Sequence, residues 1–196
     1  MTEKERTSKL EITTRDLIKS CFLEMYRTLP LNKIFVKDLC EDCYISRGTF
    51  YVYFDGIPSL YQSCQNELIA DMEQDLTETM LWSLVQTHSD KRGWKKSFSQ
   101  CIRKYSERYD TYHIMITGSE ETAFRIAWVS SVRNKFMETL NFVDVQTKEE
   151  KEYIAQFFAG GLVSTLSYWI KTGCKEEPEM VASVCEHILF NGALKK

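Results

Sequence analysis

Residues 46–54 read SRGTFYVYF, and this stretch says more about the fold of the 196-residue chain than any other. Phe50 and Phe54 are four residues apart, which places both on one face of a helix. Burying the whole stretch in a core would leave two phenols in need of hydrogen-bond partners. The stretch therefore predicts a short helix with a buried back. Its predicted outward-facing residues are Arg47, Gly48, Thr49, Tyr51 and Tyr53.

A three-helix unit is predicted around this stretch. Residues 36–43, VKDLCEDC, form a second short helical pattern, and neither segment is long enough to be stable alone. A first helix completes the unit: it is capped at Thr13 or Thr14, with Asp16 closing a capping box, and it ends at Pro30. The predicted core comprises Leu17, Phe22, Leu39, Ile45, Phe50 and Phe54. Such a unit is typical of a helix-turn-helix, whose second helix enters the major groove of DNA.

The rest of the chain also predicts helices, because only 8 Gly and 3 Pro interrupt it. Residues 1–12 are polar and aperiodic and are interpreted as a flexible tail. Pro58 opens a long helix that runs to about residue 83, and further breaks are predicted near Tyr109 and at Gly118. We expect an all-α fold of about nine helices.

The last two predicted helices are marked by their ends. Residues 148–171 are apolar on more than one face, which favours packing against a partner. Gly173 fits the C-terminal cap of this helix, and Pro178 opens the final one. Earlier, Ser119 is predicted to cap the helix that follows Gly118.

Composition excludes several classes of protein. The strictly apolar runs of four or five residues are far shorter than the roughly 18 that a membrane span needs, and the charged N-terminus is unlike a signal peptide. Seven scattered cysteines, an odd number, do not resemble a secreted disulfide framework. We expect a cytoplasmic protein with reduced thiols and no membrane partner. The net charge of −3 argues against nucleic acid, but residues 1–60 are balanced, with 9 basic and 9 acidic side chains.

Residues 34–39, IFVKDL, followed by residues 45–54, ISRGTFYVYF, resemble the DNA-binding signature of the TetR family of bacterial regulators. This resemblance implies three helices that read DNA, a fourth that connects, and a C-terminal bundle that dimerises and often encloses a small inducer. The domains would then be residues 13–56 for DNA binding and residues 57–196 for dimerisation and effector binding. Two copies would pair through residues 148–192.

The predicted DNA contacts follow from side-chain chemistry and from the resemblance. Arg47 suits a forked contact with guanine, and Thr49 suits a thymine methyl or a phosphate. The resemblance implies that Tyr51 contacts phosphate and that Lys37 approaches the DNA. Tyr53 stands at a position where the family usually has His or Tyr. The complete predicted set is Lys37, Ser46, Arg47, Gly48, Thr49, Tyr51 and Tyr53.

Three positions depart from the family pattern. Phe35 stands where a capping and phosphate-contacting Thr is usual, and Ile57 stands where a phosphate-binding Lys is usual. Tyr44 replaces a small turn residue, commonly Gly, so that the turn either tolerates a positive φ at some cost or is altered. These departures bear on DNA affinity more than on fold.

An effector pocket is predicted in the C-terminal helices, with an aromatic lining that could equally be solid core. The predicted lining comprises Tyr105, Tyr109, Tyr112, His113, Trp128, Phe158 and Trp169. The main hypothesis is a repressor that a small-molecule effector releases from operator DNA. The alternative is a similar regulator that binds no small inducer and acts through a protein partner or a cysteine redox state.

Other chemistry has little support in the sequence. Cys40 and Cys43 form a lone CxxC without a second pair or nearby histidines, so small buried thiols are favoured over a zinc or redox site. A redox sensor at Cys64, Cys101 or Cys174 stays open. No nucleophile elbow, P-loop, dinucleotide-binding or zinc-protease motif occurs, and we predict no enzyme, no metal and no cofactor.

Overall fold

The computed structural model describes residues 3–76, 81, 91–141 and 147–191. Within these ranges the chain forms nine α-helices, one 3-10 helix (Leu31–Lys33) and no strand, which confirms the predicted all-α class. None of these helices is long and apolar enough to cross a bilayer. The α-helices are α1 (Glu3–Thr28), α2 (Val36–Asp42), α3 (Arg47–Tyr53), α4 (Ile57–Asp75), α5 (Lys91–Glu107), α6 (Tyr109–Thr117), α7 (Glu121–Leu140), α8 (Lys148–Lys171) and α9 (Pro178–Asn191).

The chain divides into two compact units. The first contains the residues up to Glu67 together with Thr117–Glu120, and so comprises α1 to α3, the first part of α4 and the turn between α6 and α7. The second contains Leu68–Ile116 and the residues from Glu121 onward. A four-residue segment far along the chain thus belongs to the N-terminal unit.

Helix α1 supplies one wall of the first unit's core. Ile18, Phe22 and Tyr26, spaced four residues apart, are almost completely buried. The prediction of Leu17 as core is wrong, since this side chain is 44% exposed and the buried stripe begins one residue later. Ile45, also predicted as core, is half-buried.

The predicted start of α1 is also wrong. The helix begins at Glu3, so neither Thr13 nor Thr14 is its cap, and the helix covers most of the segment interpreted as a tail. The polar residues before Thr13 include Glu, Lys and Arg, which are good helix formers, and neither Gly nor Pro interrupts them. The absence of an apolar period therefore did not mean the absence of a helix.

The turn between α2 and α3 accommodates its unusual residue. Tyr44 has a φ of 55°, which is the left-handed region, and its side chain is 96% exposed. Of the two alternatives that the sequence left open, the turn tolerates a positive φ at a cost of roughly 1–2 kcal/mol for a residue other than Gly. The backbone N–H of Ile45 donates to the carbonyl of Cys40 at 3.0 Å and closes the turn.

Several predicted helix boundaries in the second unit are confirmed. One helix ends at Glu107 and the next begins at Tyr109, and α6 ends immediately before Gly118. Gly173 has a φ of 91° and donates to the carbonyl of Ile170, as expected of a C-terminal glycine cap. Pro178 opens α9 as predicted.

Two boundary predictions are not met. Helix α4 ends at Asp75 and not at about residue 83, and residues 77–80, 82 and 83 of the predicted helix lie outside the described residues. Helix α7 begins at Glu121, two residues after the predicted cap Ser119, whose Oγ accepts the backbone N–H of Leu31. Ser119 thus bonds to a residue that is distant in the sequence.

The second unit has an aromatic core with a polar rim on α4. Arg108 pairs with Asp71, Lys104 pairs with Asp75, and the hydroxyl of Ser131 donates to Glu73 at 2.6 Å. These contacts join the last turns of α4 to α5, to the α5–α6 junction and to α7. The buried aromatic side chains are Trp94, Phe98, Tyr105, Tyr112, Phe124, Trp128, Phe136, Phe158 and Trp169.

Candidate nucleic-acid interface

Helix α3 is held from behind by its two phenylalanines. Phe50 is 0% exposed and Phe54 is 3% exposed, with ring centroids 5.9 Å apart, so the predicted burial of both is confirmed. The guanidinium of Arg15, from α1, lies 5.1 Å from the centroid of the Phe54 ring. This cation–π contact further ties the end of α3 to α1.

The front of α3 faces solvent. Ser46, Arg47 and Gly48 are exposed, and Tyr51 is 56% exposed. The remaining predicted members, Thr49 and Tyr53, are half-buried. The structure thus brings six of the seven predicted DNA-contacting residues onto one short helix and its cap. The seventh, Lys37, is exposed on α2.

Sequence reasoning missed Val52 on the same helix. Its side chain is 75% exposed, more than that of Tyr51. The signal was present, because Val52 follows Gly48 by four residues and so shares its face. An exposed valine on a polar face is suited to an apolar contact such as a thymine methyl group.

The first turn of α3 is capped by Ser46. Its Oγ accepts the backbone N–H of Thr49 at 3.0 Å, and the Ser46 and Thr49 hydroxyl oxygens are 2.9 Å apart. One of the two hydroxyls donates to the other, which leaves the second with a donor for an outside acceptor. The cap therefore fixes the start of the helix and holds two hydroxyls side by side.

Lys37 shares its charge with a neighbour. It is the second residue of α2, and its Nζ lies 3.8 Å from Oε1 of Glu41 one turn later. The two side chains are 61% and 68% exposed, so this ion pair contributes little stability. The ammonium is accessible, but a nearby carboxylate partly offsets its charge.

Two of the departures from the family pattern meet in one apolar cleft of about 420 Å³ within the first unit. Phe35 is 58% exposed at its rim, and Ile57 is buried beneath. Neither supplies a charged or hydroxyl group where the signature has one. The lining residues are Leu31, Asn32, Ile34, Phe35, Val36, Ile57, Pro58 and Glu120.

Residues 92–191 match a TetR-type family profile described as a transcriptional regulator C-terminal region, which is just over half of the chain. The chain belongs to the TetR family. Together with the helix-turn-helix at the other end, this membership makes the protein a DNA-binding transcriptional regulator.

One known regulator is similar to this chain in sequence, and two solved structures are similar to it in fold. The HTH-type dhaKLM operon transcriptional activator DhaS of Lactococcus lactis subsp. lactis (strain IL1403) is 25% identical over 158 residues, which cover 79% of this chain and 78% of that protein. A solved structure of the dihydroxyacetone kinase operon activator DhaS has a TM-score of 0.58 at 19% identity and covers 91% of this chain and 94% of its own. The fatty acid degradation regulator FadR from Bacillus halodurans has a TM-score of 0.63 at 14% identity, with 93% and 97% covered. Both structures share the fold.

Apart from α3, this TetR-family chain has an apolar face on its last two helices. Phe157 is 82% exposed and lines a groove of about 130 Å³ between α8 and α9. So many exposed apolar side chains on adjacent helices indicate an interaction surface. The exposed large apolar residues of α8 and α9 are Tyr153, Ile154, Phe157, Tyr168, Met180, Val184, Ile188 and Leu189.

The predicted effector residues form more than one group. Tyr105 packs against Tyr112 and Trp128, with ring centroids 5.0 Å and 6.2 Å away, and burial raises the pKa of both phenols. Tyr109 and His113 are half-buried and contact each other, with ring centroids 5.0 Å apart. The three aromatic side chains of the first group are at most 2% exposed, so they form packed core in this structure.

The last two predicted effector residues make other contacts. The ring of Phe158 lies against Phe136, with centroids 4.3 Å apart. The indole Nε1 of Trp169 donates to the carbonyl of Glu176 at 2.9 Å in the connection between α8 and α9. Trp169 therefore stabilises a helix corner.

All seven cysteines are free thiols, and burial disfavours the thiolate at several of them. Burial raises the pKa of Cys64 and of Cys101 to about 12, and that of Cys174 to about 11. A protonated thiol reacts slowly with oxidants. In the ranges that the structure describes, no group of three or more His, Cys, Asp or Glu side chains is placed to hold a metal ion. Cys40 and Cys43 are both buried, as predicted for small core thiols.

Proposed function

We propose that this regulator binds a pseudo-palindromic operator as a homodimer, with helix α3 of each protomer in a major groove. The observation that supports this most strongly is the two-sidedness of α3: Phe50 and Phe54 are buried, while Arg47, Gly48 and Tyr51 are exposed. A helix held from behind in this way presents its front without any rearrangement. Recognition helices of such dimers meet successive major grooves roughly 34–36 Å apart.

Each exposed group has a proposed role. Arg47 reads a guanine edge through its forked donors, and Val52 contacts a thymine methyl group. Tyr51 and Tyr53 donate to phosphates and position the helix without reading sequence. Lys37 adds a phosphate contact from α2. The paired hydroxyls of Ser46 and Thr49 supply a further donor to the backbone beside Gly48, where no side chain blocks a close approach.

The proposed domains follow from these roles. Residues 13–56 bind DNA, and residues 57–196 dimerise and respond to a signal. Helices α8 and α9 of two protomers pack as a four-helix interface within residues 148–192, because this face exposes Phe157, Tyr153 and Tyr168. Removing that apolar surface from water drives association.

We propose repression that a small molecule relieves, which is typical of the family. The ligand would enter the aromatic cluster of Tyr105, Tyr112 and Trp128 and favour a form that does not fit the operator. Such entry requires the cluster to open, since its side chains are buried and in contact.

A second candidate is an activator that binds no small inducer and acts through a protein partner. The relative DhaS is named as a transcriptional activator of the dhaKLM operon. The close packing of Tyr105, Tyr112 and Trp128 also favours this candidate, since packed aromatic core leaves little room for a ligand. A reporter gene fused to the operator distinguishes the two, because deleting a repressor raises expression and deleting an activator lowers it.

Mobility shifts with the DNA that flanks the protein's own gene test the proposed interface. Arg47→Ala is expected to weaken binding about tenfold or more, since good base contacts contribute roughly 1–3 kcal/mol. Tyr51→Ala is also expected to weaken binding, and to do so similarly for all sequences, because it removes a phosphate contact. Arg27→Ala is the matched control, because it removes an exposed arginine from α1. Undiminished shifts in both α3 variants would overturn the assignment of α3 as the reading helix.

A further inference from the structure

The turn between α6 and α7 belongs to the first unit, which contains the helix-turn-helix. Thr117–Glu120 cluster with α1 to α3, whereas the chain on either side, up to Ile116 and from Glu121, belongs to the second unit. The chain therefore passes between the units at three points, and two of these flank a segment of only four residues. Any displacement of the end of α6 or the start of α7 reaches this segment through the backbone.

Hydrogen bonds attach the turn to three parts of the first unit. The backbone N–H of Glu120 donates to Oη of Tyr26 at 2.8 Å, and Oη of Tyr61 donates to the carbonyl of Glu120 at 3.4 Å. Oγ of Ser119 accepts the backbone N–H of Leu31 at 3.0 Å. The turn thus holds the last part of α1, the 3-10 helix that leads into α2, and the first part of α4.

Gly118 packs tightly against the ring of Tyr26, with no space for a side chain. A Cβ at position 118 would lie 2.5 Å from Cε1, 2.6 Å from Cζ and 2.7 Å from Oη of Tyr26. Tyr26 is 2% exposed, so its ring has no solvent side into which to move. The turn and this ring can therefore shift only together.

Tyr26 contacts the core that lies behind α3. Its ring stacks on Phe22 with centroids 5.6 Å apart and meets Tyr61 edge-on at 5.7 Å. Phe22 is completely buried in the core that also contains Phe50. Closely packed interiors transmit displacements because they contain few voids to absorb them.

We propose that the turn Thr117–Glu120, through the contact of Gly118 with Tyr26, is the point at which signals from the second unit reach the helix-turn-helix. Gly118 and Tyr26 are positioning residues: a ligand or protein that displaces α6 or α7 moves the turn, then Tyr26 and Leu31, and so the core that orients α3. Coupling is reciprocal, so operator binding also favours one position of the turn. This inference rests on the proposed function and adds to it a route that is separate from α4.

Substitution of Gly118 tests the route without any effector, because the added methyl group itself displaces the contact. The full-length chain carries Gly118→Ala, and its matched control is Gly56→Ala, where the new Cβ lies 3.7 Å from Cδ of Pro58, an ordinary contact. Operator affinity is measured by fluorescence anisotropy. We expect Gly118→Ala to weaken binding about tenfold, equivalent to about 1.4 kcal/mol, and Gly56→Ala to change it less than about twofold.

A rescue variant separates this contact from a general loss of stability. Tyr26→Leu removes the three ring atoms that the new Cβ would meet. We expect Tyr26→Leu/Gly118→Ala to bind operator within about twofold of Tyr26→Leu alone, because the two substitutions act at one contact. Losses that multiply, or a Gly118→Ala protein that binds like the Gly56→Ala control, would overturn the proposal.

Hydrogen exchange of the same proteins, measured without DNA, provides a readout that does not depend on the operator. Gly118→Ala is expected to speed exchange in peptides from α2 and α3, while Gly56→Ala does not. Unchanged exchange in α2 and α3 would contradict the route even if Gly118→Ala weakened DNA binding. Conversely, if the wild-type protein does not bind DNA, this result counts against the proposed function, and the exchange measurement alone tests the contact.

If Gly118→Ala does not fold, the milder Tyr26→Phe takes its place. This substitution removes only the acceptor for the backbone N–H of Glu120 and is expected to have the same effects in smaller measure.

Discussion

The hydroxyl of Ser46 accepts the backbone N–H of Thr49 at 3.0 Å and so caps the helix that presents Arg47 to solvent. Replacing Ser46 with Ala is expected to lower the free energy of unfolding by about 1 kcal/mol, because the first turn of α3 then loses its cap. Thermal unfolding measures the change. Ser20→Ala is the control, since Ser20 bonds to Asp16 within α1, where Ala is the better helix former. Equal stability of the two variants would contradict the role of the cap.

Phe35 is the N-cap residue of α2 and makes no side-chain hydrogen bond there. Phe35→Thr supplies the missing acceptor and is expected to raise the free energy of unfolding by up to about 1 kcal/mol, because the lost ring is 58% exposed. The new hydroxyl should also tighten operator binding. Leu29→Thr, which trims another partly exposed apolar side chain outside a cap position, should not stabilise the protein. A destabilised Phe35→Thr protein would show that the Phe35 ring contributes more to the free energy of unfolding, through its contacts in the cleft, than the new helix cap does.

The pair of Lys37 with Glu41 predicts opposite effects of two substitutions. Lys37→Ala is expected to weaken binding to all DNA sequences similarly and to lower the slope of log affinity against log salt concentration by about 1. Glu41→Gln leaves the ammonium without its acidic neighbour and is expected to strengthen binding to all sequences. Titrations at several salt concentrations with operator and with unrelated DNA measure both effects. A change confined to the operator would show that Lys37 reads bases.

Phe157 is 82% exposed on α8. In the proposed homodimer this side chain lies in the interface between the protomers. Phe157→Glu is expected to give a monomer in light scattering and to weaken operator binding about 100-fold or more, because two linked half-sites then bind separately. Ile126→Glu is the control, since Ile126 is 61% exposed on α7, outside the proposed interface. A dimeric Phe157→Glu protein would place the interface elsewhere.

Burial of Cys101 predicts a stability that falls in alkali. Burial raises its pKa from about 9 to about 12, so above pH 9 the unfolded chain ionises this thiol while the folded protein keeps it protonated. The stability that the protonated thiol contributes is complete below pH 9 and is lost as pH rises towards 12. Between pH 7 and 10.5 the loss from this group is about 2 kcal/mol. Denaturant unfolding of Cys101→Ala should show a correspondingly shallower fall, and an unchanged slope would contradict the shift.

The parts of the fold that were predicted correctly are those that depend on neighbouring residues. The spacing of Phe50 and Phe54, the glycine cap at Gly173 and the start of α9 at Pro178 all follow from local backbone and helix geometry. The start of α1 does not follow from apolar spacing, because the first residues of this helix are polar helix formers. Leu17 and Ile18 are adjacent apolar residues, and only tertiary packing distinguishes the exposed one from the buried one.

The same division applies to the candidate site. The exposed face of α3 follows from periodicity, although Val52 was overlooked. The sequence does not reveal that Phe35 and Ile57 line one cleft, because the two residues come together only when α2 and the start of α4 have folded against each other. Gly118 was recognised only as a break, because its close contact with Tyr26 joins residues more than 90 positions apart. Long-range contacts of this kind leave no period in a single sequence.

The connection between α8 and α9 is held by contacts within a single chain. Gly173 and Cys174 have φ values of 91° and 50°, the N–H of Cys174 donates to the carbonyl of Trp169, and the Trp169 indole reaches across to Glu176. These bonds stabilise the connection between the two helices. In the proposed homodimer, each protomer would therefore bring α8 and α9 already connected in one geometry, so that less conformational entropy is lost on association.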